Sequence, residues 1–162
     1  MKRAILSAIL LSLLVFSLSA APYLGISQGL GSTSVEVGYL TRSIDQNLSL
    51  SLPTLDALDR GDDFYRYPVL SLNILYKLRL GSTIAFAVGP SLRMGWEYEK
   101  ALILQGGFVA QISLEAPEVM DILFVEGGYL PKAWQWLGGT PSSGVLEKGI
   151  SQFLRFGYRH AF

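Results

Sequence analysis

The chain has 162 residues, 50% of them apolar and only 16% charged, with 13 basic and 13 acidic side chains and no cysteine. No basic patch points to nucleic acid, and the lack of cysteine excludes a disulfide framework and thiolate chemistry. The length suits one domain, but past the first 20 residues no apolar run reaches the roughly 20 needed for a spanning helix, so the apolar surplus needs another explanation.

The N-terminus is the first predicted element. Lys2 and Arg3 precede an apolar stretch from Ala4 to Phe16, and small residues follow at Ser17, Ser19, Ala20 and Ala21. That is the layout of a cleaved secretory signal peptide. It divides the chain into a signal segment, 1–20, and a mature domain, 21–162. Removing Lys2 and Arg3 leaves 11 basic residues (13 − 2) against 13 acidic ones, a net charge of −2. No cysteine follows the cut, so no lipoprotein anchor is expected.

Period-two alternation then runs through the mature chain. After a weak segment at 22–30, Val35, Val37 and Tyr39 alternate with Glu36 and Gly38. Leu48, Leu50 and Leu52 alternate with Ser49 and Ser51, and Leu70, Leu72, Ile74, Tyr76, Leu78 and Leu80 with Ser71, Asn73, Lys77 and Arg79. Segment 82–94 sets Ile84, Phe86, Val88, Leu92 and Met94 against small residues and Arg93. Segment 101–114 follows, then 121–130, where Leu123, Val125 and Tyr129 oppose Glu126 and Gly128. The last segment opposes Leu154, Phe156, Tyr158 and Phe162 to Ser151, Arg155, Gly157 and Arg159. Eight strands of bilayer-spanning length are predicted.

The connections alternate too. Short turns are expected near 42–46, 80–82 and 115–120, and outer connections at 31–33, 53–67, 95–100 and 131–149. This asymmetry, with both termini on the short-turn side, fits a transmembrane barrel. The polar face is mostly Gly, Ser, Ala, Asn and Gln, sizes that fit the crowded interior of an eight-stranded barrel. The charges fall on that face: Glu36, Lys77, Arg79, Arg93, Glu126, Arg155 and Arg159. The polar exceptions on the apolar face, Gln28, Asp121, Gln152 and His160, lie near strand ends, where their cost in lipid is small. Tyr23, Tyr39, Tyr76, Tyr158 and Phe162 at one level and Trp96, Tyr98 and Tyr129 at the other suggest interfacial girdles.

The C-terminal residues Arg155, Gly157, Tyr158 and Phe162 resemble the assembly signal of outer-membrane proteins: a polar residue, a glycine two on, and a terminal aromatic. His160 departs from it, since a hydrophobic residue is usual there. With the signal peptide and strand count, the mature chain resembles the small eight-stranded barrels of the OmpA/OmpX type. The resemblance implies an all-β, antiparallel up-and-down transmembrane barrel in the outer membrane of a Gram-negative cell, exported through the Sec pathway. It implies outer-membrane lipid and lipopolysaccharide as surroundings, and the barrel-assembly machinery and periplasmic chaperones as transient partners.

Chemistry-bearing constellations are few. Some eight-stranded barrels are lipid A deacylases with a Ser–His–acid site near the outer rim, but the single histidine, His160, belongs to the opposite end. No enzyme, cofactor or metal site is expected. Asp56, Asp59, Asp62 and Asp63 share a loop with Arg60 and Arg66 and lack the spacing of a calcium loop; they read as a solvated loop, and the Arg60-Gly61-Asp62 tripeptide is too short to argue adhesion. Buried charges must be paired, so Glu36, Arg93, Glu126 and Arg155 are predicted to form a neutralising network in the lumen. The expected role is structural or surface interaction through the outer loops. A narrow porin-like pore or small-ligand carrier is the alternative, and a lipid A-modifying enzyme the third possibility.

Overall fold

The computed structural model describes residues 20–55, 68–97, 101–116, 118–138 and 152–162. Residues 1–19, where the signal peptide is expected, the residues Asp56, Asp59, Arg60, Asp62, Asp63 and Arg66, and Tyr98 lie outside the described residues, as do the side chains of Trp96 and Gln152. Eight strands follow one another: β1 (Ala21–Gly29), β2 (Ser32–Leu40), β3 (Ile44–Pro53), β4 (Val69–Leu80), β5 (Ile84–Glu97), β6 (Ala101–Ala116), β7 (Asp121–Gly138) and β8 (Gln152–Ala161). Each pairs antiparallel with its neighbours in sequence, and β8 returns to pair with β1, closing the barrel. The all-β up-and-down architecture expected from the alternation is therefore present.

Three short turns, at 41–43, 81–83 and 118–120, lie at the end of the barrel where β1 begins and β8 ends. Gly81 takes φ +87 in the second of them, a conformation open to glycine at little cost. Several boundaries differ from the expected ones. The first turn is shorter than 42–46, because β3 begins at Ile44 and takes Asp45 and Gln46 into the wall. Glu115 belongs to β6 rather than to the third turn. β7 continues to Gly138, through half of what reads as a loop at 131–149. Pro131 is accommodated because the β6–β7 register shifts between Gly106 and Phe108, leaving no ladder partner at the proline.

Burial is inverted relative to a water-soluble sheet protein. Among the described residues, nineteen buried side chains are polar or charged and nine apolar. The outward positions carry the large apolar groups: Leu24, Ile26, Val35, Leu50, Phe108, Ile112, Leu123 and Phe156 are all more than 40% exposed. Polar-in, apolar-out alternation around a closed sheet is the pattern of a barrel bathed in lipid.

Three aromatic rings shape the interior. Tyr23 pairs directly with Gly38, Phe124 with Gly157, and Phe153 with Gly128. In each case a Cβ on the glycine would overlap the ring, so the ring lies flat over bare backbone on the next strand. Tyr23 reads from the sequence as part of the interfacial girdle with Tyr39 and Tyr76; at 2% exposed it points into the lumen instead. Tyr39, Tyr76, Tyr129, Tyr158 and Phe162 do face outward.

Candidate functional site: the lumen charge cluster

Alternation turns Glu36 of β2, Asp45 of β3, Glu126 of β7 and both Arg155 and Arg159 of β8 to the inside, where each is at most 4% exposed. In so narrow a barrel these long side chains meet across the lumen. Arg159 is the hub. Its Nε donates to Glu36 Oε2 at 2.9 Å and its Nη1 to Asp45 Oδ2 at 2.7 Å, while Nη2 lies 3.9 Å from Glu126 Oε2. Arg155 donates from Nε to Glu126 Oε1 at 2.8 Å, and its Nη2 lies 2.6 Å from the same oxygen. Its Nη1 lies 3.3 Å from Glu36 Oε1 and donates to Ser49 Oγ at 3.2 Å.

Neutral donors add to the shells of Glu36 and Asp45. Tyr23 donates its hydroxyl to Asp45 Oδ1 at 2.7 Å, Ser27 donates to Glu36 Oε1 at 2.9 Å, and Gln111 Nε2 reaches Asp45 Oδ2 at 3.5 Å. The rings over the glycines serve a second purpose. The Arg159 guanidinium lies 4.0 Å from the Phe124 ring centre and 5.0 Å from that of Tyr23. Arg93 stacks at 3.4 Å on Phe153, whose ring also lies 5.7 Å from Arg155. Glycine, ring and guanidinium thus form successive layers from wall to centre. Such stacking suits arginine, whose flat cation is weakly hydrated.

Of the four residues predicted for the network, the structure brings Glu36, Glu126 and Arg155 into direct contact and places Arg93 beside them through Phe153. Three members were not anticipated. Arg159 reads as inward from the alternation but was not assigned to the network, Asp45 reads as a turn residue, and Tyr23 as a girdle residue. Extending the Leu48, Leu50, Leu52 pattern backward turns Asn47 and Asp45 inward, and that is the signal that finds Asp45. With Arg93 included, three carboxylates face three guanidiniums.

A second, separate group lies nearer the short turns. Lys77 Nζ and Arg79 Nη2 hold the two oxygens of Glu115 at 2.8 and 3.1 Å. Leu75, Ala87 and Val109 make a small buried apolar cluster, against which Phe153 packs.

The last residues of β8 and the residue that follows it divide by face. Arg155 and Gly157 turn inward, Tyr158 and Phe162 outward. His160 lies on the outer surface, its Nδ1 2.7 Å from Asp121 Oδ1, which also accepts the Tyr158 hydroxyl at 2.6 Å. Its ring packs edge-on against Phe162 at 5.3 Å. Among the described residues no group of three or more His, Cys, Asp or Glu side chains is arranged to hold a metal ion.

No protein-family model, curated protein or solved structure matches the chain.

Proposed function

We propose that the mature chain is an integral outer-membrane barrel whose lumen is closed by its own side chains, with a structural or surface-interaction role exercised through its outer loops. The observation that carries this reading is the cluster at Arg159: guanidiniums and carboxylates from β2, β3, β7 and β8 span the interior. An ion crossing the barrel would have to break several buried pairs, each of which is costly to separate. The apolar outer belt supports the membrane placement, since exposed apolar surface on this scale marks contact with lipid or a partner. The basic-then-apolar N-terminal segment supports export, and the residues at the end of β8 support handling by the barrel-assembly machinery and periplasmic chaperones. Lipopolysaccharide is the natural neighbour of the outer loops in that setting.

Refolded mature protein in a planar bilayer tests the closed lumen. The expected trace shows no steady single-channel steps, and Arg159→Ala, Arg155→Ala together should introduce them. Steady steps from the wild-type protein would replace this reading with a pore. Mass analysis of lipid A from cells expressing the protein is the companion measurement; an unchanged acylation pattern is expected, and a changed one would replace it with a lipid-modifying enzyme.

A further inference from the structure

On the outer face near the short turns, β1, β2 and β3 enclose a groove of about 490 Å³ floored by apolar side chains including Leu24, Val37, Leu48 and Leu72. Tyr39 and Phe162 also line it, and so does Gln46. The register sets Gln46 opposite Tyr39 on one side and Ile74 on the other, both of them exposed, so it occupies an outward position. It is nonetheless only 6% exposed, and its Oε1 is buried with no hydrogen-bond partner. An amide in such a place is costly on a surface meant for lipid, where no water can satisfy it. That oxygen can only accept a hydrogen bond. No lysine or arginine lines the groove to match an anionic headgroup, whereas the Tyr39 and Phe162 rings offer faces that attract a cation.

We propose that this groove binds one phospholipid bearing a primary ammonium headgroup. An acyl chain lies over Leu24, Val37, Leu48 and Leu72, and the Gln46 amide turns its oxygen into the groove to accept a hydrogen bond from the ammonium beside Tyr39 and Phe162. The site rests on the membrane reading above, because only a barrel set in lipid meets such an occupant at that face.

Native mass spectrometry of the refolded mature protein, with dioleoyl-phosphatidylethanolamine as probe, tests it. Phosphatidylglycerol and phosphatidylcholine of the same chains are the comparisons; the latter keeps the positive charge but has no N–H to donate. The expected result is one saturable phosphatidylethanolamine per barrel, bound about fivefold more tightly than phosphatidylcholine, the difference one buried hydrogen bond makes. It should also be preferred over phosphatidylglycerol, whose hydroxyls can donate but bring no cation to the rings. Gln46→Leu should erase the preference while leaving weak binding. Val37→Trp, which fills the groove from a position already 45% exposed, should erase binding itself. Equal binding of all three lipids, or a preference that survives Gln46→Leu, overturns the site. Insertion into vesicles, followed by protease protection, is measured on the same samples. Insertion without a bound phosphatidylethanolamine overturns the groove alone, and failure to insert overturns the membrane reading along with it.

Discussion

The two sides of the lumen solve the same problem differently. On the side built by β7, β8 and β1–β3, every carboxylate is met by an arginine and at least one of its oxygens by a close donor. On the side built by β4–β6, the inward positions between the Lys77–Arg79–Glu115 group and Arg93 are uncharged, and several of their buried neutral groups have no partner at all. Asn73 donates to Asn47 at 2.9 Å, but the hydroxyls of Ser71 and Ser91 and both amide atoms of Gln105 have no hydrogen-bond partner in the protein. The atoms left without one in the charged cluster, Glu126 Oε2, Arg155 Nη2 and Arg159 Nη2, belong to groups whose other atoms are bonded. The difference follows from what each group costs when buried alone. An uncompensated charge in a low-dielectric interior is costly enough to threaten the fold, whereas a lone hydroxyl or amide is tolerable. Geometry is therefore strict on one side and loose on the other.

The largest effect should come from the strict side. Arg159→Met removes the hub and leaves Glu36 and Asp45 without their principal cation, so stability should fall by about 3–5 kcal/mol. Urea unfolding in detergent micelles measures it, and a loss no larger than that of a lumen serine substitution would erase the contrast. A smaller but more specific effect is expected between neighbours. Glu126→Gln and Arg155→Gln should each destabilise the barrel, and the double substitution should recover about 0.5–3 kcal/mol of the summed loss. Strict additivity would mean that the pair makes no net contribution. The smallest effect belongs to the loose side. Gln105→Leu replaces an amide with no protein partner by an apolar group of similar size, and stability should move by no more than about 0.5 kcal/mol, or rise. A loss comparable to that of Arg159→Met would show that the β4–β6 wall is as strictly built as its counterpart.

This contrast also explains what could be read from the sequence. The strands and their faces were legible because outward positions are apolar and inward ones polar, as at Leu48, Leu50 and Leu52 against Ser49 and Ser51. The pattern fails where an outward residue is itself polar. Gln46 is such a residue, and with Asp45 and Asn47 beside it the run Asp45-Gln46-Asn47 has the composition of a turn. The start of β3, and with it one carboxylate of the cluster, was hidden for that reason. Pro131 hid the second half of β7 in the same manner, since a proline reads as a stop unless a bulge absorbs it. Tyr23 reads as a girdle residue because an aromatic near a strand end suits a membrane interface and a glycine-backed lumen site equally; only the register that sets it opposite Gly38 separates the two.

The arginines' place in the chain has a consequence for how the barrel assembles. Glu126 and Arg155 stand directly opposite each other on adjacent strands, so the hairpin of β7 and β8 can make that pair by itself. Arg159 is different, for two of its carboxylates sit on β2 and β3, more than a hundred residues earlier. They meet it only when β8 reaches β1 and the sheet becomes a ring. Until that moment Glu36 and Asp45 carry unneutralised charge and keep the open sheet's inner face hydrated. Ring closure and neutralisation are thus one event, and Arg159 is the clasp that holds the last strand to the first.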